Sequence, residues 1–260
     1  MTFVLLGLIS HVFADFAFQS DDLVTSKKNG CLRGYLYHGL GVFLCCVAAF
    51  HLYGVSIAAI LGAAITLVHI LVDWLKNLAR RKLSPGKGPG IFAADQLIHV
   101  ITILAAWNFV DARFSRDIMS FYRGTVVSKA VISLSLLPAP RGDCGIIFDR
   151  VLVIILAYAV VIFAGPVIVR QVLDAFFLNS QPTAVTRAGK YIGIVERTFM
   201  LTLVLVNAFQ SLGFVLTAKS LARFSELNDM KFAEYYLVGT LTSATVALLT
   251  GIGARWFLKL

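Results

Sequence analysis

Charge is the scarcest ingredient of this chain. Asp, Glu, Lys and Arg make up 14% of its 260 residues, where a soluble domain carries about 25%. Acids are rarer than bases, 14 against 23, for a formal net charge of +9. Proline and cysteine are also few, at 6 and 4, which excludes collagen-like, proline-rich and disulfide-scaffold architectures. Cys31, Cys45, Cys46 and Cys144 form no CxxC or metal-finger pattern. Cys45 and Cys46 fall in an apolar run, where packing is their expected role. There is no GxxxxGK[ST] phosphate loop. What abounds is apolar: 58% of residues are hydrophobic types and the mean hydropathy is +0.83. This balance excludes both intrinsic disorder and a water-soluble enzyme. The basic residues stand mainly between apolar runs, so they read as membrane anchoring rather than nucleic-acid binding.

The apolar runs fall at about 2–19, 36–53, 55–75, 91–110, 149–173, 191–217 and 232–255, each near the ~20 residues a bilayer crossing needs. They predict an all-α, polytopic transmembrane helix bundle of about seven spans. The mixed stretch 121–138 predicts an interfacial or re-entrant helix, with an eighth span as the alternative. Three regions follow: a four-span His/Asp-rich membrane domain over 1–110, a connector with the interfacial helix over 111–148, and a three-span domain over 149–260. The apolar N-terminus has no basic leader and carries His11 and Asp15, so it reads as a retained span rather than a signal peptide. Segment 76–90 holds Lys76, Arg80, Arg81, Lys82 and Lys87 without an acid, and segment 20–35 holds Lys27, Lys28 and Arg33. Both are expected in the cytoplasm, placing the N-terminus outside; the C-terminus is inside with seven spans and outside with eight. Ser84 to Gly90 (SPGKGPG) reads as a hinge between the third and fourth runs.

The five histidines are His11, His38, His51, His69 and His99. Three have an aspartate four residues away: His11 with Asp15, His69 with Asp73, and Asp95 with His99. Residues at that spacing share a helix face. In runs one and three the histidine comes first; in run four, which crosses in the opposite direction, the aspartate does. All three aspartates therefore stand about one turn nearer the cytoplasmic side than their histidines, and His38 opens the second run at that level. Ionisable groups in hydrocarbon cost several kcal/mol each unless paired or coordinated. Imidazole and carboxylate suit zinc, with iron or manganese as alternatives, so His11, Asp15, His38, His69, Asp73, Asp95 and His99 are candidate ligands for one or two divalent ions. A proton or ion pathway and purely structural pairing are the competing readings. His51, at the far end of its run, reads as a helix–helix hydrogen-bonding residue.

Around these, Lys76 either neutralises Asp73 or meets an anionic substrate group, and Gln19 and Gln96, beside the aspartates, are candidates to meet the substrate or a lipid headgroup. Lys219 and Arg223 are candidates for a lipid headgroup or substrate phosphate, with surface ion pairing as the plainer explanation; Glu196 and Arg197 open the sixth run and Glu226 and Glu234 flank the next turn. Asn207 and Gln210 lie mid-run and are expected to bond across helices. Gly239, Ser243, Ala247 and Gly251 form a small-residue stripe suited to close helix packing.

The pattern H-x-x-A-D-F-x-x-Q (His11 to Gln19), then His38-Gly39, H-x-x-x-D-x-x-K (His69 to Lys76) and D-Q-x-x-H (Asp95 to His99) resembles the bacterial membrane family called domain of unknown function 3307. Ile192 to Arg197, Gly213 to Phe224 and Glu234 to Ser243 resemble the region that accompanies that domain. The resemblance implies a multi-pass protein of the bacterial inner membrane and brings no established activity. The residues themselves lead to an expected function as a metal-dependent membrane hydrolase, acting on a lipid or amphiphilic ester or phosphoester at the cytoplasmic ends of the first four spans. In it Asp73, Asp95 and Lys76 are the candidate catalytic residues. A cation or proton transporter or channel built on the same cluster is the alternative. The bilayer and an amphiphilic substrate are the expected partners, nucleic acid is not, and homo-oligomerisation is left open.

Overall fold

A computed structural model describes residues 1–82, 88–110, 113–116, 118, 144–177 and 187–260. The 121–138 stretch lies outside the described residues, as does most of the SPGKGPG hinge. The described residues form α1 (Thr2–Val12), closed by a π-helical turn (Phe13–Ala17), then α2 (Asp21–Lys28), α3 (Leu32–Phe50), α4 (Val55–Lys82) and α5 (Gly88–Trp107). After the connector come α6 (Cys144–Ala159), a second π-helical turn (Val160–Ala164), α7 (Gly165–Phe176), α8 (Arg187–Leu205), α9 (Phe209–Ala222) and α10 (Met230–Leu258). No strand occurs among the described residues. The all-α architecture is therefore that of the sequence reading, in two compact units: Met1–Arg81 with Ala93–Leu156, and Lys82–Phe92 with Ala157–Leu260.

Five helices are long and apolar enough to cross a membrane, and six if α1 with its π turn and α2 are taken as one broken span. Most residues along them lie on the outer surface. On α3 the outer face carries Leu36, Leu40 and Leu44; on α4, Leu67, Leu71 and Leu75; on α5, Leu97, Ile101 and Leu104. Rows of exposed Leu and Ile at helical spacing have no place against water, and hydrocarbon is their natural solvent.

In the first unit, Phe3 stacks on Phe50 with ring centroids 4.4 Å apart, and Val42, Cys46, Tyr53, Ala58 and Ile65 complete the core. The turn from α3 to α4 passes through Gly54 at φ +119°, a conformation L side chains rarely adopt. Ahead of α2 the chain bends by 85°, and Ser20 Oγ caps the new helix by accepting from Leu23 N at 3.3 Å. That bend changes the reading of residues 20–35. They are not a plain charged loop, because α2 turns Lys27 inward and buries it.

In the second unit the expected 191–217 run is broken. Asn207 takes the left-handed conformation, φ 65°, and ends α8, while Arg255 Nη1 donates to the freed carbonyls of Val204 (3.1 Å) and Leu205 (3.2 Å). Asn207 and Gln210 are exposed, so neither is the buried cross-helix link expected of it. Arg197 is not a surface residue either. Its Nε donates to Val161 O (3.2 Å) inside the second π turn and its Nη1 to Ser243 Oγ (3.3 Å). A π turn ahead of a proline leaves helix carbonyls in need of donors, and the guanidinium supplies one. Gly165 and Gly193 make the room: a Cβ on either would stand 2.7 Å or 3.1 Å from an Arg197 nitrogen.

The small-residue stripe packs as expected. Ser243, Ala247 and Gly251 are buried, and a Cβ on Gly251 would meet Val204 Cγ1 at 2.6 Å. Gly251→Val should therefore lower stability by about 1–3 kcal/mol, seen as a reduced thermal midpoint in detergent. Val204→Ala in the same chain should restore part of it; an unchanged midpoint in the single variant would contradict this packing.

Candidate metal centre

Four helices of the first unit bring the sequence-selected side chains to one place. Counted along the chain, His11 precedes the end of the first π turn, His38 follows the start of α3, Lys76 precedes the end of α4 and Asp95 follows the start of α5, in each case by about two turns, roughly 10 Å. The cluster is thus deeper than the helix ends. All seven candidate ligands lie within it, in three overlapping sets: His11 with Asp15 and His69, His38 with His69 and Asp73, and Asp73 with Asp95 and His99. In each set, one donor atom per residue lies within 4.8 Å of the others.

The pairing runs across helices more than along them. Asp15 sits in the π turn, which widens the helix and turns the carboxylate. Its distance to His11 Nδ1 is 3.9 Å, whereas Oδ1 lies 2.9 Å from His69 Nε2 and 3.2 Å from His38 Nε2. Those two imidazole nitrogens are 3.0 Å apart, and His38 Nε2 is 3.5 Å from Asp73 Oδ2. Four ligand atoms from three segments therefore converge, each 2.9–3.5 Å from a neighbour. Ligands at ~2.0–2.2 Å from a zinc ion stand roughly 3.3 Å from one another, so the spacing fits a common cation. His69 also stacks on His99, with centroids 3.9 Å apart; two charged rings would repel in that arrangement.

Beside Asp15 Oδ1, which faces the His69 and His38 nitrogens at pairing distance, two buried polar atoms have no hydrogen-bond partner: Asp95 Oδ1 and His99 Nε2. The last two are 3.4 Å apart without hydrogen-bonding geometry. Unpartnered buried polar atoms are uncommon in folded proteins, and a bound water or ion is one way they are satisfied. A narrow crevice, no larger than a single water molecule, adjoins the imidazoles and is lined by His11, His69 and His99 together with Val42, Phe50, Ile65 and Ile103.

Lysines supply the internal neutralisation. Lys76 donates to Asp73 and, at 3.0 Å, to Asp95 Oδ2; it belongs to the cluster and not to the cytoplasmic loop charge among which the sequence grouped it. Lys27 donates to the other oxygen of Asp73 and, at 3.1 Å, to Gln19 Oε1. Gln96 links His11 Nε2 (3.1 Å) to Asp95 Oδ2 (3.0 Å). Both glutamines therefore stand in the cluster.

The sequence reading missed Lys27 and its support. Asn77 Nδ2 donates to Tyr35 Oη at 2.8 Å, and Tyr35 Oη donates to Lys27 O at 3.2 Å, fixing α2 in place. The available signal was the charge count, since three aspartates beside one lysine leave two negative charges to neutralise. His51 is in none of the three sets; it is half-buried, with Nδ1 2.6 Å from Ala48 O of α3. Lys219 and Arg223 belong to the second unit and pair there with Glu196 (2.5 Å) and Glu226 (2.6 Å).

Span-length helices with apolar outer faces and an ionisable interior define a multi-pass helical membrane protein. Residues 3–126, just under half of the chain, match the model of a protein family of unknown function, DUF3307. The match takes in every residue of the cluster and ends before α6. No curated protein and no solved structure matches the chain.

The side chain of Asp73 is 1% exposed and that of Lys27 4%, so removing one member strands a buried charge. Lys27→Met should cost about 3–5 kcal/mol in metal-free protein, measured as a fall in the thermal midpoint. Lys27→Met with Asp73→Leu should be less destabilised than the sum of the two single changes. Strict additivity would show that the pair is not coupled.

Proposed function

We propose that this chain is a metal-dependent integral membrane enzyme, a hydrolase of a lipid or amphiphilic ester or phosphoester, set in the bacterial inner membrane with its N-terminus outside and its cluster toward the cytoplasmic side. The observation that supports the reading is the convergence of Asp15 Oδ1, His38 Nε2, His69 Nε2 and Asp73 Oδ2, spaced as ligands of one ion are, beside the unpartnered Asp95 Oδ1 and His99 Nε2. Neutral imidazole and carboxylate together suit zinc best, with iron or manganese as alternatives. His38, His69, Asp15 and Asp73 would hold one ion; Asp95 and His99, with Asp73, form the place for a second.

A bound divalent ion would supply Lewis-acid polarisation of the scissile ester or phosphoryl group and ease deprotonation of water. The chain's own residues do the rest. A carboxylate left free of metal, Asp95 in the one-ion arrangement, accepts the proton of the attacking water. Lys76 keeps Asp73 and Asp95 ionised at fixed positions, and Gln96 and Asp15 orient His11. The basic residues Arg80, Arg81 and Lys82 in the last turn of α4 support a cytoplasmic location for this end of the bundle.

A second reading, a proton or cation pathway, is favoured by the neutralisation of Asp73 by two lysines without any ion and by the adjacency of His11, His69 and His99. Elemental analysis of purified protein tests the choice. Wild type should carry stoichiometric transition metal, with His69→Ala and Asp95→Ala lowering it. Stably folded, metal-free wild type after metal supplementation would favour the pathway. For a metallated protein, lipid turnover should exceed background while liposomes containing the protein show no added ion flux; flux without turnover would reverse the assignment.

A further inference from the structure

We infer that the substrate group this centre takes is a phosphoryl group, received by the ammoniums of Lys27 and Lys76 once a divalent cation has taken Asp73; the inference rests on the metal-centre reading above. Asp73 has one oxygen toward Lys76 and the other toward Lys27 and His38. An ion that binds among His38, His69 and Asp15 approaches the Asp73 oxygen that Lys27 holds. The cation and the Lys27 ammonium therefore compete for the same lone pairs.

That exchange leaves donors without acceptors. Each ammonium carries three N–H groups. With that Asp73 oxygen claimed, Lys27 keeps only Gln19 Oε1, while Lys76 keeps the other Asp73 oxygen and Asp95 Oδ2 and has one N–H left over. Both side chains are largely withdrawn from solvent, at 4% and 17% exposure, so unmet donors are costly there. With neutral imidazoles, three aspartates and two lysines give the cluster a charge of −1, and one divalent ion turns this to +1. A carboxylic ester is neutral and offers a single carbonyl oxygen. A hydroxide would cancel the charge but also brings one oxygen to two ammoniums. A phosphate monoester or diphosphate end brings negative charge and several terminal oxygens, the acceptors these lysines lack.

The position of Lys27 supports the same occupant. It arrives from α2, the short helix bent 85° from the first span, and is held there by Gln19 independently of Asp73. The cation can therefore displace it from Asp73 without releasing it from the site. Apolar walls on the far side of the imidazoles do not offer such acceptors.

The test is calorimetric titration of full-length protein in detergent with zinc, then with inorganic phosphate. Zinc-loaded wild type should bind phosphate at least about tenfold more tightly than zinc-free wild type, and Lys27→Gln should keep its zinc while losing about tenfold or more in phosphate affinity, the scale of one charge-assisted hydrogen bond. Lys27→Arg, which keeps the charge, should retain most of the affinity. Titration with dihexanoyl phosphatidic acid distinguishes the sources: tighter binding than phosphate supports an amphiphile's headgroup, and equal binding supports the free anion, both within the inference. Normal zinc uptake with no phosphate binding, or with equal binding by Lys27→Gln, overturns the phosphoryl assignment and leaves the metal centre standing. Wild type that takes no zinc overturns the metal centre and this inference with it.

Discussion

Charge buried in a helix bundle must be neutralised inside the bundle. Hydrocarbon offers no counter-ions and no water, so each aspartate of the cluster needs a cation or a donor supplied by another helix. Asp73 meets this with Lys27 and Lys76, Asp15 turns toward His38 and His69, and Asp95 shares Lys76 and Gln96. These contacts tie α1 through α5 together at one level. An apolar bundle packed only by shape gains little from water exclusion in a bilayer, so the polar cluster is also what specifies how these helices meet.

Backbone irregularity serves both units. In the first, the π turn at Phe13–Ala17 redirects Asp15 from its own helix to the neighbouring imidazoles. In the second, the π turn at Val160–Ala164 offers a carbonyl that Arg197 takes. Regular α-helix would have consumed the carbonyl internally and left Asp15 alongside His11. Each irregular turn is met by a polar side chain from another segment, the condition under which broken helix geometry is tolerated at membrane depth.

The competition for Asp73 gives the centre its chemical character. A lysine ammonium and a divalent cation are both acceptable partners for a buried carboxylate, and they differ in what they leave behind. Lysine completes a self-satisfied ion pair. In the proposed centre a metal would turn the same lysine into a free donor and the same site into a receptor for anions.

Much of the cluster was legible in the residue pattern. The four-residue spacing of His11/Asp15, His69/Asp73 and Asp95/His99 fixes a shared helix face whatever the neighbours do, and the reversal of order in α5 follows from antiparallel crossing. Composition likewise fixed an all-helical membrane chain, because only helices or closed barrels satisfy their backbones in lipid and long apolar runs favour helices. Spacing cannot report which atoms touch across helices. Lys27, Tyr35 and Asn77 join the site through the 85° bend before α2, Arg197 is buried through Gly165 and Gly193, and Asn207 breaks a run that reads as continuous. These are decided by the packing of segments remote in sequence, where one backbone turn determines whether a lysine lies in water or against a carboxylate.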